Sequence, residues 1–180
     1  MNEKQKDPIY SEYHAYLLLE RSYSPNTVTA YEFDLEKYKK YLSDNQLDPL
    51  RVTFDDLQEF VFRTFKEISN VRTQARLLAT LHSFYRFLLY HNYIEADPTE
   101  LLEGPKKEMH LPQVLSVEEI DRLTAAIDLS SNEGHRNRAI IEMLYGSGLR
   151  VSELVNLKLS QMYRSEGYMV ILGKGSKQRL

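Results

Sequence analysis

Cysteine is absent from all 180 residues, which excludes disulfides, thiolate metal sites and cysteine nucleophiles and leaves stability to packing. Long apolar runs are missing too, since no stretch approaches the roughly 18 consecutive apolar residues of a membrane helix. The opening residues Met1-Asn-Glu-Lys-Gln-Lys6 lack the charged, apolar and cleavage regions of a secretory signal, so the chain is read as cytoplasmic and not membrane-bound. His14, His82, His91, His110 and His135 form neither an HExxH motif nor a close His/carboxylate cluster. No metal and no cofactor is expected. Repeats and low-complexity tracts are lacking as well. The net charge of −3 argues against a uniformly basic DNA-coating protein, but phosphate binding depends on local clusters of Lys and Arg and not on the total.

What is present is a chain with 42% hydrophobic and 27% charged residues, suited to one or two domains with real cores. Helix-period patterning lapses between Pro105 and Pro112, which predicts a domain of residues 1–104, a linker of 105–112 and a second segment of 113–180. In the first domain, Ser24-Pro25 places an N-cap before proline at the first helical position. Val28, Tyr31, Leu35, Tyr38 and Leu42 then recur at helical spacing, predicting a helix over about 25–43. Thr53 and Asp56 resemble a capping box opening a second helix. Over about 70–91, Leu77, Leu78, Leu81, Phe84, Tyr85, Leu88 and Leu89 form an apolar stripe, and Arg72, Arg76, Ala79, Ser83 and Arg86 form another face. Further helices are expected over 9–21 and from Asp97-Pro98 to Leu102.

The second segment reads as mixed α and β. Ser116 and Glu119 form a capping box for a helix to about 128. Arg136 to Gly146 predicts another helix with Ile140, Ile141 and Leu144 inward, broken by Gly146 and Gly148, and Val151 to Leu157 a short one. Tyr168 to Leu172 is a β-type run before the hairpin-like turn Gly173-Lys-Gly-Ser-Lys177, and the strand after it is expected to leave an unpaired sheet edge.

The stretch Leu144-Tyr-Gly-Ser-Gly-Leu-Arg-Val-Ser-Glu-Leu-Val-Asn-Leu157 is the most informative. A glycine-flanked turn delivers Arg150 directly before a short helix, and a rigidly held guanidinium can grip two oxygens of one phosphate. The same spacing also allows Arg150 to cap the helix or pair with Glu153 three residues on. The arginines of the 70–91 helix can reach phosphates or base edges past Ala79 and Ser83; the spacing alone fits a solvated face equally well. Of the 13 tyrosines, Tyr31, Tyr38, Tyr85 and Tyr90 occupy core-type positions, and none is assigned as a nucleophile.

Four separated segments resemble the tyrosine recombinase (phage integrase) family, and its Xer-type members most. Tyr23-Ser-Pro-Asn-Thr-Val-Thr-Ala-Tyr-Glu-Phe-Asp-Leu35 and Ala75-Arg-Leu-Leu-Ala-Thr-Leu-His-Ser-Phe-Tyr-Arg-Phe87 look like the helical core-binding domain. Leu144 to Leu157 resembles the first catalytic box, and Gly173-Lys-Gly-Ser-Lys-Gln-Arg179 the β-hairpin turn. The resemblance implies a mainly α fold: a SAM-like helical N-terminal domain followed by the start of the α+β catalytic domain. It assigns Arg150 to the scissile phosphate, Lys174 to protonation of the leaving 5′ oxygen and Glu153 to support of the site. Arg72, Arg76, Ser83, Arg86, Lys106, Lys107, Lys177 and Arg179 become candidate DNA contacts. His82 stands where many relatives carry arginine, so no phosphate contact is assigned to it.

Further consequences of the resemblance concern the reaction and the partners. It implies a metal-free transesterification, in which a tyrosine attacks a DNA phosphate and leaves a 3′-phosphotyrosyl link and a free 5′ hydroxyl. The HxxR box, a later His or Trp, and the tyrosine are expected beyond Leu180, so these residues alone should bind DNA without cutting it. The implied partners are a double-stranded recombination site and a second recombinase subunit, assembling as a tetramer on DNA. Chromosome dimer resolution is the implied role, with mobile-element integration, a type IB topoisomerase and a catalytically inactive DNA-binding relative as alternatives.

Overall fold

The computed structural model describes residues 8–105, 113–173 and 177–180. It divides into two compact units, residues 1–109 and 110–180. The described residues are mainly helical, and among them are four two-residue strands in the second unit.

In the first unit, α1 (Pro8–Ala15) passes into a wider π-type turn over Tyr16–Glu20, closed by the Arg21 N–H donating to the Tyr16 carbonyl at 3.0 Å. One unbroken α-helix over 9–21 is therefore not what forms; the extra residue per turn is a π-bulge. The helix α2 (Pro25–Asp44) starts where Ser24-Pro25 predicts, with Ser24 Oγ accepting from the Thr27 N–H at 3.3 Å. The capping box of α3 (Phe54–Glu67) is reciprocal: the Thr53 N–H donates to Asp56 at 2.9 Å and the Asp56 N–H to Thr53 Oγ1 at 3.3 Å. The Thr53 hydroxyl, donating to Asp56 at 2.7 Å, and then the Thr53 N–H hold the Asp56 carboxyl below its usual range. The helix α4 (Val71–Tyr90) is capped by Asn70 Oδ1, which accepts from the Arg72 N–H at 2.9 Å.

The core of this unit lies where the stripes of α2, α3 and α4 meet. Leu77, Leu78, Leu81, Phe84, Tyr85 and Leu88 are buried, as are Val28, Leu35, Tyr38, Leu42, Leu57 and Phe60. Tyr85 O–H donates to the Pro49 carbonyl at 3.2 Å, so the proton between the Tyr38 and Tyr85 hydroxyls, 2.5 Å apart, comes from Tyr38. Burial pushes the Tyr13, Tyr38 and Tyr85 phenols up, and the same burial in the core keeps them from reaching a DNA phosphate. Two expected core residues lie outside it: Leu89 is 37% and Tyr90 72% exposed, because the last turn of α4 buries Phe87 and Leu88 instead. The expected short helix from Asp97 to Leu102 is a turn instead. Asp97 Oδ1 accepts from the Thr99 N–H at 2.8 Å and the Thr99 hydroxyl at 2.6 Å, and this side-chain turn competes with helix formation.

In the second unit, the Ser116–Glu119 box opens α5 (Val117–Ala125), which ends short of 128. Then α6 (Asn132–Ser147) begins four residues before Arg136, because Ser131 caps the Gly134 N–H at 3.1 Å. A Cβ at Gly134 would lie 1.7 Å from the Asp128 carbonyl oxygen, so only glycine fits that close approach. Gly146 continues α6, and the break falls at Gly148, in the left-handed region with φ 59°. Ile140 is 39% exposed and not inward, whereas Ile141 and Leu144 are half-buried; α6 packs mainly against α5 and α7. The short helix α7 spans Val151–Val155.

The run over 168–172 is not one strand. β1 (Met162–Tyr163) pairs antiparallel with β2 (Tyr168–Met169), whereas β3 (Ile171–Leu172) pairs antiparallel with β4 (Gln178–Arg179). Between them the Val170 N–H turns to the Gln161 carbonyl at 2.9 Å, which switches the pairing from the preceding to the following strand. Gly173 N–H donates to the Lys177 carbonyl at 2.8 Å and closes the base of the hairpin.

Candidate functional site

Two sets of polar side chains stand out, one in each unit. In the first, α4 turns Arg72, Ala79 and Arg86 to solvent, with Ser83 half-buried between them. Arg86, Ser83 and His82 also border an open concavity of about 830 Å³, together with Arg21, Tyr23 and Tyr31. His82 Nδ1 is anchored 2.8 Å from the Thr99 hydroxyl. Glu95, Asp97 and Glu100 border the same concavity as Arg21 and Arg86, so its lining carries charges of both signs. Arg21 is missing from the sequence expectations because it falls outside the α4 pattern.

Arg76 stands apart from its expected DNA contact. Its Nε and Nη2 close as a fork on Asp34, at 2.8 and 3.0 Å, and Thr80 donates to the same carboxylate at 3.4 Å. Asp34 is fully buried in the stripe of α2, where an unpaired carboxylate would be costly, so the guanidinium is committed inside the unit. Asp34 lies between Tyr31 and Leu35 on the apolar stripe, and that carboxylate is the sequence signal that α2 needs a cation from a neighbour. Arg76→Ala should therefore destabilise the 180-residue chain by about 3 kcal/mol, the low end for breaking a buried pair because the guanidinium still meets water. Arg72→Ala should stay within about 0.5 kcal/mol. Urea denaturation checks both, and equal midpoints for the two variants would contradict the assignment.

In the second unit, Arg150 is the N-cap of α7, in an extended conformation directly after the Gly148 turn. Glu153, with its side chain only 4% exposed, accepts from the Arg150 N–H at 2.8 Å on Oε2 and from Arg150 Nη1 at 2.8 Å on Oε1. Arg179 Nη2, from β4, reaches Oε2 at 2.7 Å and the Gly148 carbonyl at 3.4 Å. The Arg150 backbone N–H, followed by the two guanidiniums, holds the Glu153 carboxyl below its usual range. That depressed pKa contributes stability that is fully present above the unfolded value and is lost as pH falls through the folded one. The Arg150 side chain remains 67% exposed, so its fork is fixed at one end and open to a ligand at the other.

Lys106, Lys107 and Lys174 lie outside the described residues. Gly173, next to Lys174 in the chain, is described: a Cβ there would stand 3.6 Å from Glu153 Oε1, so the base of the hairpin lies against the same carboxylate. Lys177 is exposed. Arg179, an expected DNA contact, is instead engaged with Glu153 and Gly148. Among the described residues no group of three His, Asp or Glu side chains is arranged to hold a metal ion, and no helix is long and apolar enough to cross a membrane.

Residues 11–92 match the phage integrase N-terminal SAM-like domain, and residues 113–180 match the phage integrase family. A tyrosine recombinase XerD of Staphylococcus haemolyticus is 36% identical over 177 residues, covering 97% of this chain and 59% of the relative. A tyrosine recombinase XerD of Staphylococcus aureus is 34% identical over 177 residues, with the same coverage of 97% and 59%. The chain thus spans about three-fifths of the length of these curated relatives. Among solved structures, a lambda integrase dimer bound to a COC′ core site superposes with TM-score 0.75 at 16% identity, covering 95% of this chain and 59% of that one. The XerH site-specific recombinase bound to difH substrate, in a pre-cleavage complex, superposes with TM-score 0.64 at 20% identity, covering 94% and 51%. At those identities the two structures speak to the fold.

Proposed function

The chain belongs to the phage integrase family, the tyrosine recombinases, and from that membership we propose that the protein it represents performs site-specific DNA recombination in the cytoplasm. The observation that carries the reading is the Arg150 turn, with its guanidinium fixed at one edge by the shielded Glu153 carboxylate and left 67% exposed beside the hairpin base. A tyrosine oxygen, its phenol proton passing to a general base, would attack the scissile phosphorus, forming a 3′-phosphotyrosyl bond as the bond to the 5′ oxygen breaks. Arg150 would stabilise the charge gathering on the non-bridging oxygens, and Lys174 would give its proton to the departing 5′ oxygen. Attack by a 5′ hydroxyl of the partner strand reverses these steps on a new strand. No high-energy cofactor is required, because each step exchanges one phosphodiester for another.

The partner is a double-stranded recombination site, bound by two recombinase subunits per site and four in the synaptic complex; lambda integrase has been solved on a core site and on a Holliday junction, and XerH on difH substrate. Chromosome dimer resolution is the role that similarity to proteins named XerD supports. The 180 residues alone should bind such a site weakly and leave it uncut. Nicking of a suicide substrate by this chain would overturn that expectation.

Arg72 and Arg86 remain the phosphate candidates on α4. Each contact removed should lower the slope of log affinity against log salt by about 0.9. Arg72→Ala and Arg86→Ala should thus weaken binding and flatten its salt dependence, and an unchanged slope in a titration by fluorescence anisotropy would return that face to a merely solvated role.

A further inference from the structure

One carboxylate in the second unit serves two arginines from distant parts of the chain. Glu153 Oε1 takes Arg150 Nη1, while Oε2 takes both the Arg150 N–H and Arg179 Nη2, the latter from 26 positions further along. Arg150 alone would suffice to neutralise Glu153, so the second guanidinium needs its own explanation. Arg179 also reaches the carbonyl of Gly148, the left-handed residue that ends α6. It therefore holds the Arg150 turn on both sides, two residues before the arginine and three after it.

Arg179 is also part of the hairpin. In β4 it lies opposite Ile171, and Gln178 lies opposite Leu172, so the strands leading into and out of the turn with Lys174 are registered by these pairs. A Cβ at Gly173 would stand at an ordinary contact distance of 3.6 Å from Glu153 Oε1, which places that carboxylate beside the hairpin base. The Arg150 turn and the hairpin thus share one shielded anion. We infer that Arg179 is a positioning residue, which acts through Glu153 to fix the Arg150 turn relative to the hairpin and does not contact DNA phosphate. The catalytic consequence rests on the recombinase reading, whereas the geometry does not.

The charges point the same way. Two guanidiniums and one carboxylate leave the cluster with one net positive charge. Arg179, 46% exposed, shares the carboxylate, so Arg150, 67% exposed, is not fully quenched by it and retains field toward a bound phosphate. Loss of Arg179 would let Glu153 draw on Arg150 alone and would free the hairpin from the turn. Misplacement by about 1 Å of groups that must converge on one phosphate is worth about 100-fold in rate.

The test uses the full-length recombinase with Arg179→Ala, Arg179→Lys, Glu153→Gln and the double variant Glu153→Gln/Arg179→Ala. Single-turnover cleavage of a suicide site is measured at saturating DNA, and affinity is measured across a salt series. Arg179→Ala should slow cleavage by about 10- to 100-fold with affinity and salt slope unchanged, and Arg179→Lys should restore much of the loss. In the Glu153→Gln background, Arg179→Ala should cost less than about 3-fold more, since the two residues act as one unit. Normal cleavage by Arg179→Ala, or weaker affinity with a slope lower by about 0.9, would overturn the inference and make Arg179 a bystander or a phosphate contact. A second arm needs no catalysis: titration of the Glu153 carboxyl by carbon NMR in the 180-residue chain. Its midpoint should rise in Arg179→Ala, and an unchanged midpoint would overturn the geometry. If the wild-type protein fails to cut, the recombinase reading fails and the titration still decides the geometric half.

Discussion

Arg150→Ala in the full-length recombinase should lower single-turnover strand cleavage by about three orders of magnitude or more, with site affinity nearly unchanged. The size follows from what the side chain does. A pre-organised donor aimed at developing charge is worth about 10²–10³ in rate, and an arginine stabilising a phosphoryl transition state about 10³–10⁵. Arg150 has the required fixity: its backbone N–H and one guanidinium edge are held by Glu153, which keeps the rest of the fork at a set angle in solvent. Binding is spared because one of many phosphate contacts contributes little to overall affinity. Arg150→Lys should not rescue, since an ammonium holds its donors on one nitrogen and lacks the planar fork that spans Glu153 and phosphate together. Cleavage by Arg150→Ala within 10-fold of wild type would remove Arg150 from the chemistry.

Lys174→Ala should slow cleavage by about 10²–10⁴-fold, the range for loss of a general acid. The same variant offers a sharper test, because an acid is needed only when the leaving group is a poor one. With sulfur in place of the bridging 5′ oxygen, the departing thiolate, of pKa about 8.5, needs no proton at neutral pH. Lys174→Ala should then cleave that substrate at nearly the wild-type rate, whereas Arg150→Ala should stay slow on both substrates. A Lys174→Ala variant equally slow on both would assign the lysine to charge stabilisation and not to proton transfer.

Much of the fold can be read in the sequence because it depends on local chemistry. Ser24-Pro25, Thr53 with Asp56, and Ser116 with Glu119 open their helices as capping physics demands. The apolar stripe of α4 is buried through Leu88. What escapes such reading is decided by long-range pairing. The change of strand partner at Val170 and the exposure of Ile140 on α6 depend on neighbours that periodicity does not name.

The candidate site divides in the same way. Arg150 and Glu153, three residues apart, show their pairing in the sequence, and the structure adds that this pairing prepares the arginine and does not consume it. Arg76 and Arg179 look alike in sequence, as cations on exposed patterns. Their partners, Asp34 and Glu153, lie 42 and 26 positions away, and both pairings became visible only in three dimensions. A buried carboxylate claims the nearest arginine first. On α4, Arg72 and Arg86 carry no such pairing among the described residues and remain candidates for phosphate.

The most direct measurement is a denaturing-gel assay of the full-length protein on a suicide recombination site carrying a label on each side of the cleavage point. Tyrosine recombinase chemistry predicts that the fragment ending in a 3′ phosphate migrates as a covalent protein adduct, that its partner carries a free 5′ hydroxyl, and that Arg150→Ala abolishes both products while still shifting the DNA on a native gel. Two free DNA ends without an adduct, or an adduct formed at the wild-type rate by Arg150→Ala, would contradict it.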